Sequence, residues 1–174
     1  MQVATRLVTF SVALLDAEAN STGELCALLD VAEPADWPPP LNDAGVRDWF
    51  RGQLRADPER ARWLGSYIVS VVDGIETLVG TGGYKGPPDA SGTVEIGYSV
   101  VPAYQRRGIG TAAVDELVRR AVAHPGVRGV VAETPTRFEA SRGLLEKCGF
   151  RMVGRRTDTE EGELVRYEIA AGRS

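Results

Sequence analysis

Gln105-Arg106-Arg107-Gly108-Ile109-Gly110-Thr111 brings together residue types suited to holding a phosphate. Glycines let backbone approach a ligand and present its N–H groups. A helix opening near Gly108 would leave its first amides without partners, and its dipole would favour an anion there. Arg106 and Arg107 would add charge-assisted donors. The same residues also fit a tight turn carrying a solvated basic face, so residue types alone leave both readings open. A Walker-type nucleotide loop is disfavoured, because no G-K-S/T follows. A Rossmann fingerprint would put Ala113 at its last glycine and would require an early βαβ unit, which the chain lacks.

The elements around this stretch must position it. Val94, Ile96, Tyr98 and Val100 alternate with Glu95, Gly97 and Ser99, which predicts a strand with one apolar and one small or polar face. Pro102 breaks it. Ala113, Val114, Leu117, Val118, Ala121 and Val122 then form a helical stripe, stopped at His124-Pro125-Gly126. His124 reads as a last-turn residue favourable near the helix C-terminus. Gly129–Glu133 reads as a buried strand, and Thr136-Arg137-Phe138-Glu139 as a capping box. The helix it opens carries Ser141, Leu144, Leu145 and Cys148 and ends at Gly149.

Upstream, Val3–Leu15 reads as a first strand. Ser21-Thr22-Gly23-Glu24 reads as a capping box for a helix ended by Pro34. Ala35–Pro40 is expected to be extended, either as a packed linker or as a cleft wall. A second helix, capped by Asn42 or Asp43, is lined by Val46, Trp49, Phe50 and Leu54. Strands at Trp63–Val72 and Ile75–Tyr84 flank the hairpin signal Asp73-Gly74, with Gly82-Gly83 suggesting a bulge or close backbone approach. Phe150–Thr157 and Leu164–Ile169 read as a last antiparallel pair around an acidic turn. The order β-α-α-β-β-β-α-β-α-β-β implies an α+β fold, a mixed sheet with helices on both faces.

The whole chain bounds the rest. Its 174 residues predict one domain, 1–174, and a net charge of -4 argues against bulk nucleic-acid binding. Cys26 and Cys148 stand apart, as in a reducing compartment rather than a disulfide framework. The single His124 makes a zinc site an unlikely reading. No signal peptide or apolar run of membrane-spanning length is expected, which makes cytoplasmic the default.

Q-R-R-G-I-G resembles the Q/R-x-x-G-x-G/A coenzyme A motif of the GNAT acyltransferases, and I-G-Y-S-V-V-P-A-Y resembles their fourth strand. E-A-S-R-G-L-L-E-K-C-G-F is similar to a helix of the branch that acetylates ribosomal-protein N-termini (RimJ/RimL-like). The element order is also that of the family. The resemblance implies that Val100 and Val101 offer backbone groups to the pantetheine arm and that Gln105, Arg106, Arg107, Gly108, Ile109, Gly110 and Thr111 wrap the pyrophosphate. It implies a central sheet splayed near Ser99 and Glu133, with an unpaired N–H of the fourth strand at the thioester oxygen.

The implied reaction is attack of an amine on acetyl-CoA, with no metal. A lysine-like amine, of pKa about 10.4, must lose a proton, and Glu95 or Glu133 could take it. Leu145 stands where many members carry a thiolate-protonating tyrosine, and Phe138 where many carry asparagine. Ser141 is the substitute candidate for an acid near sulfur. The implied acceptor is a small-molecule amine or a protein N-terminus, with no nucleic acid or membrane partner and a homodimer left open. A non-catalytic acyl-CoA-binding or sensing domain is the alternative, and an unrelated nucleotide-binding module the third reading.

Overall fold

Sequence and backbone pairing together set the architecture of the computed structural model, which describes residues 3–172. The elements are β1 (Thr5–Thr9), α1 (Val12–Asn20), α2 (Thr22–Leu29), α3 (Ala44–Ala56), β2 (Gly65–Val72), β3 (Ile75–Tyr84), β4 (Thr93–Val100), α4 (Ile109–Val122), β5 (Gly129–Pro135), α5 (Glu139–Lys147), β6 (Arg151–Asp158) and β7 (Gly162–Ala170). The strands form one seven-stranded sheet, ordered β1-β2-β3-β4-β5-β7-β6. Only β4 and β5 run parallel, joined through α4; the other neighbours are antiparallel. The mixed α+β fold expected from the sequence is therefore present.

The alternation along β4 divides the core. Val94, Ile96 and Val100 join Ile109, Leu117 and Leu145 on the face packed by α4 and α5. Tyr67 and Leu78 join Phe10, Leu15, Leu25 and Leu54 under α1, α2 and α3 on the other face.

Several boundaries differ from expectation. The first strand ends at Thr9, because Ser11 accepts a hydrogen bond from Leu14 N at 3.2 Å and caps α1. A continuous apolar run suits either state, and the cap decides it. Three helices therefore precede β2, one more than the sequence pattern indicated. Ser21 caps α2 as expected, but α2 ends at Leu29 through Asp30 at φ 54°, before Pro34 is reached. Asp43, not Asn42, caps α3. Pro58–Trp63 forms a 3-10 turn, so β2 begins only at Gly65. Thr136 forms no capping box: its hydroxyl donates to Glu163 O at 2.8 Å, and α5 begins at Glu139 without a side-chain cap. At the other end Gly149, at φ 86°, carries a Schellman closure, with Phe150 N bonded to Leu145 O and Gly149 N to Glu146 O.

Gly83 shows the expected close approach, since a Cβ there would lie 2.2 Å from Leu64 O. Gly83→Ala should therefore destabilise the chain by about 2 kcal/mol or more in urea titrations. Gly52→Ala, in α3 with no atom within 4 Å of the added carbon, should stabilise it by about 1 kcal/mol.

Candidate active site

The parallel ladder between β4 and β5 is short. It joins Thr93–Ile96 to Gly129–Ala132 and then stops. Beyond it, β4 remains paired to β3 as far as Val100, and β5 remains paired to β7 as far as Pro135. The two central strands thus part in the region expected, near Ser99 and Glu133. Lys85 N bonds Glu95 O, and Val101 N bonds Val79 O. Strand alternation then turns the N–H groups of Tyr98 and Val100 into the opening. This corrects the role expected for Val101, whose N–H is already spent on β3 and whose carbonyl accepts from Tyr104 N. Tyr98 supplies the second donor instead.

The glycine-bearing loop expected to hold an anion lies just past β4. Gln105 donates from Nε2 to Val100 O at 2.9 Å, so its side chain braces the loop instead of facing a ligand. Arg106 has φ 60° and Gly108 φ 79°, left-handed positions that turn successive amides the same way. The N–H groups of Arg106, Arg107, Gly108, Ile109, Gly110 and Thr111 find no acceptor among the described residues; Ala112 N is the first to bond, to Gly108 O. Neither Arg106 nor Arg107 makes an ion pair among the described residues, and both are exposed. Ile109 is a core anchor, 2% exposed. Gly110 packs closely on α5, since a Cβ would lie 2.7 Å from Leu144 Cδ1 and would push that side chain aside.

The candidate proton carriers occupy different surroundings. Glu95 lies on β4 opposite Val131, two residues before Gly97, and its carboxylate pairs with the exposed Lys85. A Cβ on Gly97 would meet nothing within 4 Å, so the sheet surface beside Glu95 is open. Glu133 is held by Arg156 at 2.6 Å and Arg166 at 3.1 Å, with its side chain only 7% exposed. Hydrogen bonds from Arg156, and then Arg166, hold its carboxyl below the usual carboxylate range despite burial. A carboxylate so committed is a poor proton acceptor, and its surroundings fit a structural role rather than the base role expected. Ser141 Oγ lies 2.9 Å from Tyr98 Oη across the opening. Burial pushes the Tyr98 hydroxyl up, opposed by the Ser141 hydrogen bond. This hydroxyl pair escaped sequence reasoning, because Tyr98 falls at an apolar position of the alternation. Leu145 is 1% exposed in the core, and Phe138 is 41% exposed, its ring 4.7 Å from the Arg137 guanidinium.

The Trp-Pro segment is a wall of the cleft. Ala35 N bonds Tyr104 Oη at 2.9 Å, Trp37 Nε1 donates to Glu18 at 2.9 Å, and Ser99 Oγ donates to Pro40 O at 2.6 Å. Asn42 reaches Thr81. His124 packs edge-on against Trp63, at the end of α4 away from the opening. Among the described residues, no cluster of His, Cys, Asp and Glu could hold a metal ion, and no helix is long and apolar enough to cross a membrane.

Residues 7–151 match the family model described as "Acetyltransferase (GNAT) domain". The chain is 27% identical over 145 residues to the uncharacterized N-acetyltransferase YjdG of Bacillus subtilis (strain 168), covering 83% of this chain and 84% of that one. Its fold is similar to the microcin C7 self immunity acetyltransferase MccE in complex with acetyl-CoA and AMP, at TM-score 0.67 and 17% identity over 95% of this chain and 92% of that one. It is likewise similar to Mycobacterium smegmatis RimJ in complex with CoA-disulfide, at TM-score 0.67 and 19% identity over 98% and 85%.

The Glu133 cluster carries a pH signature. Its depressed carboxyl contributes stability that is present above the ordinary carboxylate range and is lost as pH falls through the folded-state value. Glu133→Gln should cost about 2 kcal/mol at pH 7, and the gap from wild type should close in acid, as read by denaturation at a series of pH values.

Proposed function

The chain belongs to the GNAT acetyltransferase family, and from that premise we propose that residues 1–174 act as one domain moving an acetyl group from coenzyme A to a primary amine by direct attack. The observation that carries this reading is the run of unpartnered amides from Arg106 to Thr111 beside the parted strands β4 and β5. Diphosphate oxygens match those donors and the free arginines. An extended arm suits the edge donors of Tyr98 and Val100.

Bound acetyl-CoA supplies the thioester acetyl group. The residues of the chain do the rest. An N–H of Tyr98 or Val100 stabilises negative charge on the acyl oxygen. Glu95 takes the proton from the amine, directly or through a water. Ser141, bonded to Tyr98, donates a hydrogen bond to the departing sulfur, which leaves as the thiolate and takes its proton from solvent, and the uncapped amides of α5 favour its negative charge. A thiolate, with a parent pKa of about 8.5, needs little help to leave, so Leu145 does not bar the reaction. The open surface at Gly97 admits the amine of a small molecule or a protein N-terminus. The A-S-R-G-L-L-E-K-C-G-F helix favours the branch that acetylates ribosomal-protein N-termini.

Thermal shift with acetyl-CoA, ATP and NAD, followed by thiol release with a panel of amines, tests this reading. Acetyl-CoA alone should stabilise strongly, and replacing Arg106 and Arg107 by alanine should weaken its binding roughly tenfold or more while flattening the salt dependence. Glu95→Gln should lower kcat by about a hundredfold or more at neutral pH, with Glu133→Gln far milder. No stabilisation by any CoA ester would sink the proposal. Stabilisation without turnover of any amine would leave an acyl-CoA-binding domain.

A further inference from the structure

Arg47 is a partly buried charged side chain whose one ion pair among the described residues is shared with a second arginine. On α3 it shares a stripe with Phe50 and Leu54, at i, i+3 and i+7. Leu54 is 3% exposed, and Phe50 packs on Phe10 at 5.2 Å. Arg47 therefore lies where α3 faces the protein, with its side chain 22% exposed. Its Nε is buried without a hydrogen-bond partner. None of its other donors bonds to a described residue, and no aromatic ring lies over it. Its sole ion pair among the described residues is with its neighbour Asp48, at 3.5 Å from Nε, and Arg51 also claims that carboxylate at 3.1 Å. A guanidinium whose Nε is buried unbonded and whose one carboxylate is shared with Arg51 keeps donors in hand for a further anion.

Its place identifies the anion's setting. Phe50, on the same stripe of α3, packs on Phe10, and Phe10 packs on Tyr67 with ring centroids 4.6 Å apart, so the stripe that carries Arg47 faces Tyr67. Tyr67 is paired with Thr81, and Thr81 with Ser99, so the three share one row on one face of the sheet. Strands are spaced about 4.8 Å apart, which puts Tyr67 about 10 Å from Ser99 at the parted strands. The wall from Trp37 to Asn42 crosses the same row. Glu18, which accepts from Tyr67 at 2.6 Å, adds a negative charge that disfavours a doubly charged phosphate and leaves room for a single carboxylate.

We propose that Arg47 is a specificity-determining residue that receives a carboxylate of the acceptor, carried within about 10 Å of its reacting amine. The acceptors of this class are ω-amino acids and N-termini bearing an acidic first residue. This rests on the acetyltransferase reading, but the residue's affinity for a carboxylate does not require coenzyme A.

The test compares N-acetyl-4-aminobutyrate and N-acetyl-6-aminohexanoate with the neutral N-butylacetamide by thermal shift at constant ionic strength, with and without coenzyme A. At least one carboxylate should raise the Tm of the wild-type chain and the neutral amide should not. Arg47→Met and Arg47→Gln should abolish that shift. With turnover, Arg47→Gln should raise KM for 4-aminobutyrate or 6-aminohexanoate about tenfold or more, while leaving butylamine unchanged. No carboxylate-dependent shift in the wild type, or the same shift in both variants, would overturn the proposal. So would a lower Tm in both variants with the carboxylate response intact. A carboxylate shift that persists when coenzyme A fails to bind would sink the acetyltransferase reading and leave this one standing.

Discussion

Beyond Ile96 and Ala132, two neighbouring strands at the centre of the sheet cease to bond each other. Buried backbone donors and acceptors rarely go unpaired, so such a gap needs either solvent or a ligand. Each strand is held in place by its other neighbour: β4 keeps its ladder to β3, and β5 keeps its ladder to β7. Glycines make the β3 side possible. A Cβ on Gly80 would lie 2.3 Å from Ser99 O, so only glycine lets the strands meet there. The opening is thus built by strong pairing on its outer sides.

Everything placed around the opening follows from that geometry. Gln105 ties the anion loop back to Val100 O, fixing the unpartnered amides of α4 relative to the end of β4. Ser141 on α5 meets Tyr98 of β4 on one face. On the other face the Trp37–Asn42 wall is tied to α1, β3 and β4. Glu133, whose position on β5 faces that same side, is neutralised by arginines from β6 and β7, and this keeps the widened end of β5 anchored. Cys148, pushed up to about 12 mainly by burial, remains a protonated thiol that contributes packing rather than chemistry.

Local features were legible in the sequence, and long-range ones were not. The alternation along β4, the glycines after it, the stripe of α4 as far as Ala121 and the turn at Gly149 each depend on residues within a few positions and appear as read, whereas Val122 at the end of the stripe is 38% exposed. The helix α1 was hidden because Val12, Leu14 and Leu15 suit a strand as well as a helix, and only Ser11 separates the two. Thr136 looked like a cap, but Glu163 across the strand pair competes for its hydroxyl. The fate of Glu133 depended on Arg156 and Arg166, separated from it by 23 and 33 residues. No local pattern could reveal that Arg47 Nε is buried without a hydrogen bond, since this is a property of the finished fold.

The central claim is that the parted strands and the loop after them form one site for the diphosphate and the extended arm of acetyl-CoA. Amide hydrogen exchange, resolved by residue with and without acetyl-CoA, tests it most directly. The account predicts that the amides from Arg106 to Thr111, together with those of Tyr98 and Val100, exchange readily in the free chain and become protected on binding. The Val101 amide, already bonded to Val79, should be protected in both states. Protection confined to other segments, with these amides unchanged by a saturating ligand, would contradict the account.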